Sequence, residues 1–223
     1  MSCDSDPAPT AEPAPPTWAV SFRWTADSGI DLDDREGVHV RAAIESNTIA
    51  DFLEMENAYP GWADYPGAID IDARETKPAQ SAVGTAYLHL IDYRRPNGLN
   101  TLVVCKDMTQ VAVEQSGSFP LPSLSDDHNT FEAVAVDIIP GPIPRTRQKP
   151  TEPPAGPNLN GPAGRTARPA RDVFDLPVQV YYPHGGGQYR SLCESWDRWK
   201  PGTPLSRSET EPPPIEPFTP GWN

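Results

Sequence analysis

The stretch that decides the fold runs Val83-Gly84-Thr85-Ala86-Tyr87-Leu88-His89-Leu90-Ile91-Asp92-Tyr93-Arg94-Arg95-Pro96-Asn97-Gly98-Leu99-Asn100-Thr101-Leu102-Val103-Val104-Cys105. From Val83 the pattern has a period of two. Thr85–Tyr93 therefore reads as a strand, with Leu88 and Leu90 on one face and Tyr87, His89, Ile91 and Tyr93 on the other. Arg95-Pro96-Asn97-Gly98 is a turn signal, because proline fixes φ and Asn-Gly accepts the conformations that reverse a chain, so Leu99–Cys105 returns as the partner strand.

Working outward, Thr109–Val113 continues this second strand past an irregularity at Lys106-Asp107, and Thr130–Ile139 alternates most cleanly of all. Val173–Tyr182 gives a further strand, where Pro177, which cannot donate to a ladder, argues for an edge. Upstream, Thr17–Trp24 reads as a short strand or an extended lead-in. Asp33 followed three residues later by Glu36 has the spacing of a capping box, with Asp34 near the positive helix end, so Val38–Asn57 is expected to be a helix. Its apolar residues wrap more than one face, which predicts a helix enclosed by the sheet and its loops; Tyr59-Pro60-Gly61 ends it. The expected class is α+β, one main helix packed on a curved antiparallel sheet, with a two-layer β-sandwich as the alternative.

Proline sets the domain limits. Of 29 prolines in 223 residues, 20 fall in three segments, 1–16, 141–171 and 201–223. The reading is a tether over 1–16, a core over 17–140, a loop over 141–171, a strand and Cys193 segment over 172–200 that completes the core, and a tail over 201–223. The net charge of −13 disfavours nucleic acid, whose binding begins with neutralisation of phosphates by Lys and Arg. The loop departs from this balance, since Arg145, Arg147, Lys149, Arg165, Arg168 and Arg171 face only Glu152. Such a strap stays solvated, docks on its own acidic domain, or binds an anionic envelope surface. Phe218 and Trp222 stand in a tail without a core of its own, and such aromatics dock on a partner or back on the parent domain. These eight residues, Glu152 aside, are the candidate partner-binding set.

Cys105 and Cys193 form a pair that, bridged, would close a loop of 88 residues and clamp the late segment to the sheet; two buried thiols in a reducing compartment are the alternative. Cys3 opens directly onto a polar, proline-rich run, Asp4 to Pro16. This resembles the start of a mature bacterial lipoprotein, a resemblance that implies lipidation of Cys3 and a membrane-anchored or secreted, extracytoplasmic chain. No charged or apolar leader stretch stands before Cys3, so this reading takes Met1-Ser2 as a remnant of processing.

The order of a helix, a Tyr-Pro-Gly break and meandering strands resembles the cone-shaped NTF2-like fold, and Val40–Ser46, Tyr59-Pro60-Gly61, Cys105 and Cys193-Glu194-Ser195-Trp196 resemble small secreted proteins and lipoproteins of actinobacteria. The NTF2-like resemblance implies a pocket for a small apolar ligand with Tyr87, His89 and Tyr93 inside the cone. No nucleotide-loop, nucleophile-elbow, Cys-x-x-Cys or His-Glu-x-x-His motif occurs, and the four histidines stand far apart. The acidic groups Asp31, Asp33, Asp34 and Asp70, Asp72 are explained by capping and turns more cheaply than by calcium. No catalytic residue, metal or cofactor is therefore expected. The reading that follows is a non-enzymatic, envelope-anchored binding or assembly module that engages a protein partner through its proline-rich segments; the ligand-pocket protein and a virion or surface component with lacing arms are the alternatives, and oligomeric state is left open.

Overall fold

The computed structural model describes residues 16–62, 79–94, 100–121, 130–138, 164–174, 178–181 and 187–223. In chain order they form β1 (Trp18–Ala26), α1 (Arg35–Phe52), a 3-10 turn (Met55–Asn57), β2 (Ala82–Arg94), β3 (Asn100–Val113), β4 (Phe131–Ile138), β5 (Val178–Tyr181) and α2 (Gly187–Cys193). The five strands make one sheet in sequence order, so the class is α+β and the described strands do not divide into a two-layer sandwich.

The sheet is mixed. β1 pairs with β2 in parallel, and the remaining pairs are antiparallel. This corrects the expectation of a wholly antiparallel sheet: Thr17–Trp24 is a strand that precedes the helix, and a parallel return needs a crossover of a dozen or more residues, which α1 supplies. Val20, Phe22 and Trp24 of β1, Leu88 and Leu90 of β2, Leu102 and Val104 of β3, and Val134 and Val136 of β4 share one apolar core with α1. Five strands span about 20 Å, twice the width of a helix. Yet α1 bonds to β1 through Glu45 and Trp24, 2.7 Å apart, and also approaches β5 at the far edge. The sheet therefore curls over the helix.

α1 begins at Arg35, three residues before the expected Val38, and its cap lies one residue later than the capping-box reading placed it. Asp34 is the N-cap, accepting from the Gly37 amide at 2.8 Å, which leaves Asp33 free for ion pairing. The expected enclosed helix is found: it is buried continuously from His39 to Ala50, polar and charged side chains included. It ends at Phe52, earlier than expected, and the 3-10 turn carries the chain to Tyr59-Pro60-Gly61, where Gly61 takes a φ of +90°. The expected irregularity at Lys106-Asp107 is a bulge inside a continuous β3: β2 advances from Thr85 to Tyr87 while β3 steps from Gln110 to Asp107. The Asp107 carboxylate accepts from the Thr109 amide across it.

The second face of the sheet is covered by α2, which the sequence reading left as a turn and a cysteine segment. Tyr189, Cys193 and Trp199 pack there on Ile91, Val103, Cys105, Phe131 and Ala135. Cys105 and Cys193 are joined by a disulfide, their Cα atoms 5.6 Å apart. Pairs of this kind persist in oxidising compartments, which points to an extracellular environment. Among the described residues no helix is long and apolar enough to cross a membrane.

Candidate peptide-binding surface

The side chains of β2 that alternate with the core, Tyr87, His89 and Tyr93, lie on the α2 side of the sheet, opposite α1. Each is covered by the chain's own C-terminal part. Tyr93 meets Tyr189 edge to face, with ring centroids 5.9 Å apart. His89 stacks on Trp196 at 5.5 Å and 11°. With its Nε2–H donating to the Asp27 carboxylate at 3.1 Å, its Nδ1 accepts from the Thr25 hydroxyl at 2.8 Å, which ties the ends of β1 and β2 together. Tyr87 carries the Arg198 guanidinium 3.4 Å over its ring and donates to Glu216 at 2.6 Å. Burial and the Glu216 carboxylate push the Tyr87 hydroxyl up to about 12. The three residues proposed for the inside of a cone thus sit beneath α2 and the tail, while the space between sheet and α1 is filled by Leu88, Leu90 and their neighbours.

The proline-rich tail has a defined path. It starts beside the Gln115–Ser118 hairpin, where the Arg207 guanidinium donates to the Phe119 and Pro120 carbonyls at 2.6 and 2.8 Å and the Phe119 amide donates to Glu209 at 2.7 Å. It then crosses the outer face. Pro213 is buried over Gly84, the Thr85 hydroxyl donates to the Pro214 carbonyl at 3.0 Å, and the same hydroxyl accepts from the Glu216 amide at 2.9 Å. Arg23 pairs with Glu216 at 3.1 Å and also donates to the Pro217 carbonyl. At the β1 edge Thr219 pairs like a short extra strand, its amide donating to Phe22 at 3.1 Å and its carbonyl accepting from Trp24 at 3.0 Å. The contacts run along the whole extended segment, from Pro213 and Pro214 through Glu216 and Pro217 to Thr219.

Past the edge the tail enters the α1 side and ends in the core. Phe218 and Trp222 are 5% and 4% exposed. The Trp222 indole donates to Glu45 at 3.1 Å, meets the Tyr59 ring edge to face at 5.6 Å, and lies 4.2 Å beneath the Arg41 guanidinium. Glu45 also accepts from the Trp24 indole and from the Tyr59 hydroxyl, so three donors converge on one buried carboxyl. Burial nevertheless pushes this carboxyl up, against the pull of Arg41 and the three donors, and burial with the neighbouring Glu45 holds the Tyr59 hydroxyl well above its ordinary range. Arg41 donates to the Gly221 carbonyl at 2.7 Å, so two charged residues of α1 depend on the tail for partners.

The basic strap locks this end. Thr166 and Trp222 exchange two backbone hydrogen bonds of 2.8 and 2.9 Å. Arg165 grips Asp33 with two bonds of 2.8 Å, which holds the Asp33 carboxyl below its ordinary range, and Arg168 donates to the Asn57 and Ala58 carbonyls while covering the Tyr59 ring. Of the sequence-predicted partner-binding residues, then, Arg165, Arg168, Phe218 and Trp222 converge on the parent domain, and Arg171 is exposed. Arg145, Arg147, Lys149 and Cys3, like Asp70 and Asp72, lie outside the described residues. Asp31 accepts from the Asp33 amide, Asp34 caps α1, and no group of acidic, His or Cys side chains among the described residues could hold a metal ion.

Glu45, Arg41, Thr85 and Arg23 were not anticipated. The first two had a signal, since charges inside a helix expected to be enclosed must find buried partners. No protein-family model matches this chain, and neither does any curated protein or solved structure.

Proposed function

We propose that this chain is a secreted or envelope-tethered, non-enzymatic binding and assembly module that works through its extended proline-rich segments. The observation that carries this reading is the seating of one such segment: residues 207–222 are held on the folded sheet by reciprocal hydrogen bonds, an ion pair and two buried aromatic anchors. A chain that invests its rarest interactions in an extended proline-rich arm is built for recognition between arms and sheets. The buried disulfide supports an oxidising compartment, and a lipid on Cys3 with the 4–16 spacer would hold the domain off a membrane. The covered positions of Tyr87, His89 and Tyr93 give the NTF2-like ligand pocket less support.

With the tail engaged by its own domain, the segment offered to an envelope protein is the basic part of the strap. Changing Arg145, Arg147 and Lys149 together to Glu is expected to cut recovery of the wild-type chain's envelope partner at least tenfold in co-purification from detergent-solubilised membranes, with wild-type recovery falling as salt rises. Equal recovery by the two chains would remove the strap from the reading.

A further inference from the structure

We infer that the surface formed by Gly84, Thr85, Tyr87, Arg23, the β1 edge and the Glu45 socket is a receptor for the C-terminal arm of this chain, and that the arm is exchanged with a second copy to link subunits. The inference deepens the assembly reading above and rests on it. Three observations lead to it.

The receptor reads its ligand at several independent points. Gly84 leaves room for Pro213, since an added Cβ would stand 3.1 Å from its ring and 1.9 Å from the Gln110 carbonyl. Thr85 fixes the register by bonding both Pro214 and Glu216, Tyr87 and Arg23 select the Glu216 carboxylate, and the socket takes an indole that can donate to Glu45. The socket is also costly to leave empty, because Arg41 would lose the Gly221 carbonyl and the Trp222 ring, and Glu45 would lose a donor. An occupant is therefore exchanged rather than simply released.

The arm is joined to the body by an exposed segment. Residues 201–204 are exposed, with Gly202 at a φ of +74°, and α2 just before them is held by the disulfide. Every contact of the arm is the same whether the arm belongs to its own subunit or to another. The balance between the two is set by linker reach and concentration, as in other exchanged arms.

Two experiments test this. A protease site placed at Thr203 in the full chain is cut after folding, and a fluorescent peptide of residues 207–223 is added. The peptide is expected to exchange into the cut protein, seen as a rise in anisotropy, with the Trp222→Ala peptide competing at least 100-fold less well and the Glu216→Gln peptide about tenfold less well. No uptake by a cut protein that keeps its near-ultraviolet dichroism would overturn the receptor, as would equal uptake of a peptide of residues 4–16. In the second experiment, deletion of residues 201–205 shortens the linker by five residues and so disfavours seating of the arm on its own sheet. Light scattering is expected to show dimers or longer assemblies, and a monomer would overturn exchange with a second copy even if the peptide binds. Neither result depends on the strap-reversal co-purification, so failure here and failure of the assembly reading are separable.

Discussion

Trp222 is the residue on which the tail, α1 and the strap meet. Its truncation to Ala removes a buried ring, the Glu45 hydrogen bond and the surface under Arg41, and is expected to cost about 3–5 kcal/mol in urea unfolding. Trp222→Phe keeps an aromatic ring in the socket but loses the donor and part of the indole's volume, so a smaller loss of about 1–3 kcal/mol is expected. No loss in Trp222→Phe would mean that the indole N–H does nothing for Glu45. The two carboxyls nearby should answer to pH in opposite directions. Because Glu45 is raised above its ordinary 4.5, the native state holds this proton more tightly than the unfolded chain, so its contribution is present below 4.5 and is lost as pH rises through the native value. Asp33 is lowered from 3.8 by Arg165, so its contribution is present above 3.8 and is lost as pH falls through the native value. Stability measured against pH in wild type, Glu45→Gln and Asp33→Asn separates them: the first variant should lose the decline on the alkaline side, the second the decline in acid.

Gly84 shows how much a single position can demand of an element. At a φ of +128° and with the Gln110 carbonyl where a Cβ would go, Gly84→Ala should cost more than the about 1–3 kcal/mol of backbone strain, and it should release Pro213 and the tail with it. Unchanged stability would show that β2 and β3 are more loosely paired there than their register indicates. The clamp of α2 makes a different prediction. Replacing Cys105 and Cys193 by Ala is expected to cost up to about 4–5 kcal/mol, the chain-entropy value for a loop of 88 residues. Amide exchange should rise through Gly187–Trp199 while β2 and β3 keep their protection, and uniform loss of protection would contradict a local clamp.

At the level of these elements much was legible in advance. The alternation in Thr85–Tyr93 put Leu88 and Leu90 on one face and Tyr87, His89 and Tyr93 on the other, and the structure keeps that division. Alternation does not say which face is the core, and here the aromatic face is the one under α2. Nor does it name a strand's partner, which is why the parallel pairing of β1 with β2 was not foreseen. Asp33 and Asp34 are both good N-caps, so the helix start could shift by one residue. The cysteine pair was readable because two thiols in a chain with an exported character have few other uses. α2 was hidden by the glycines that lead into it.

For the whole molecule, the element least visible in the sequence is the one that closes the fold. Residues 207–222 have no apolar alternation and no helical period, and their points of contact emerge only once the sheet beneath them is known. Of the three fates open to the strap, Arg165 and Arg168 take docking on their own domain, where they find the Asp33 carboxylate and carbonyls of the tail and of the 3-10 turn region. The molecule is thus a sheet with a helix on each face, laced shut by its own arm and strap, and the arm's linker is the point at which it could open toward a second copy.

The central claim is that this arm is seated, with its last tryptophan sharing Glu45 with Trp24. Hydrogen exchange followed by NMR tests it directly. The Thr219 and Trp24 amides and the indole protons of Trp24 and Trp222 should exchange as slowly as the amides of β2. Exchange of the Thr219 amide and the Trp222 indole at the rates of a free peptide would contradict it.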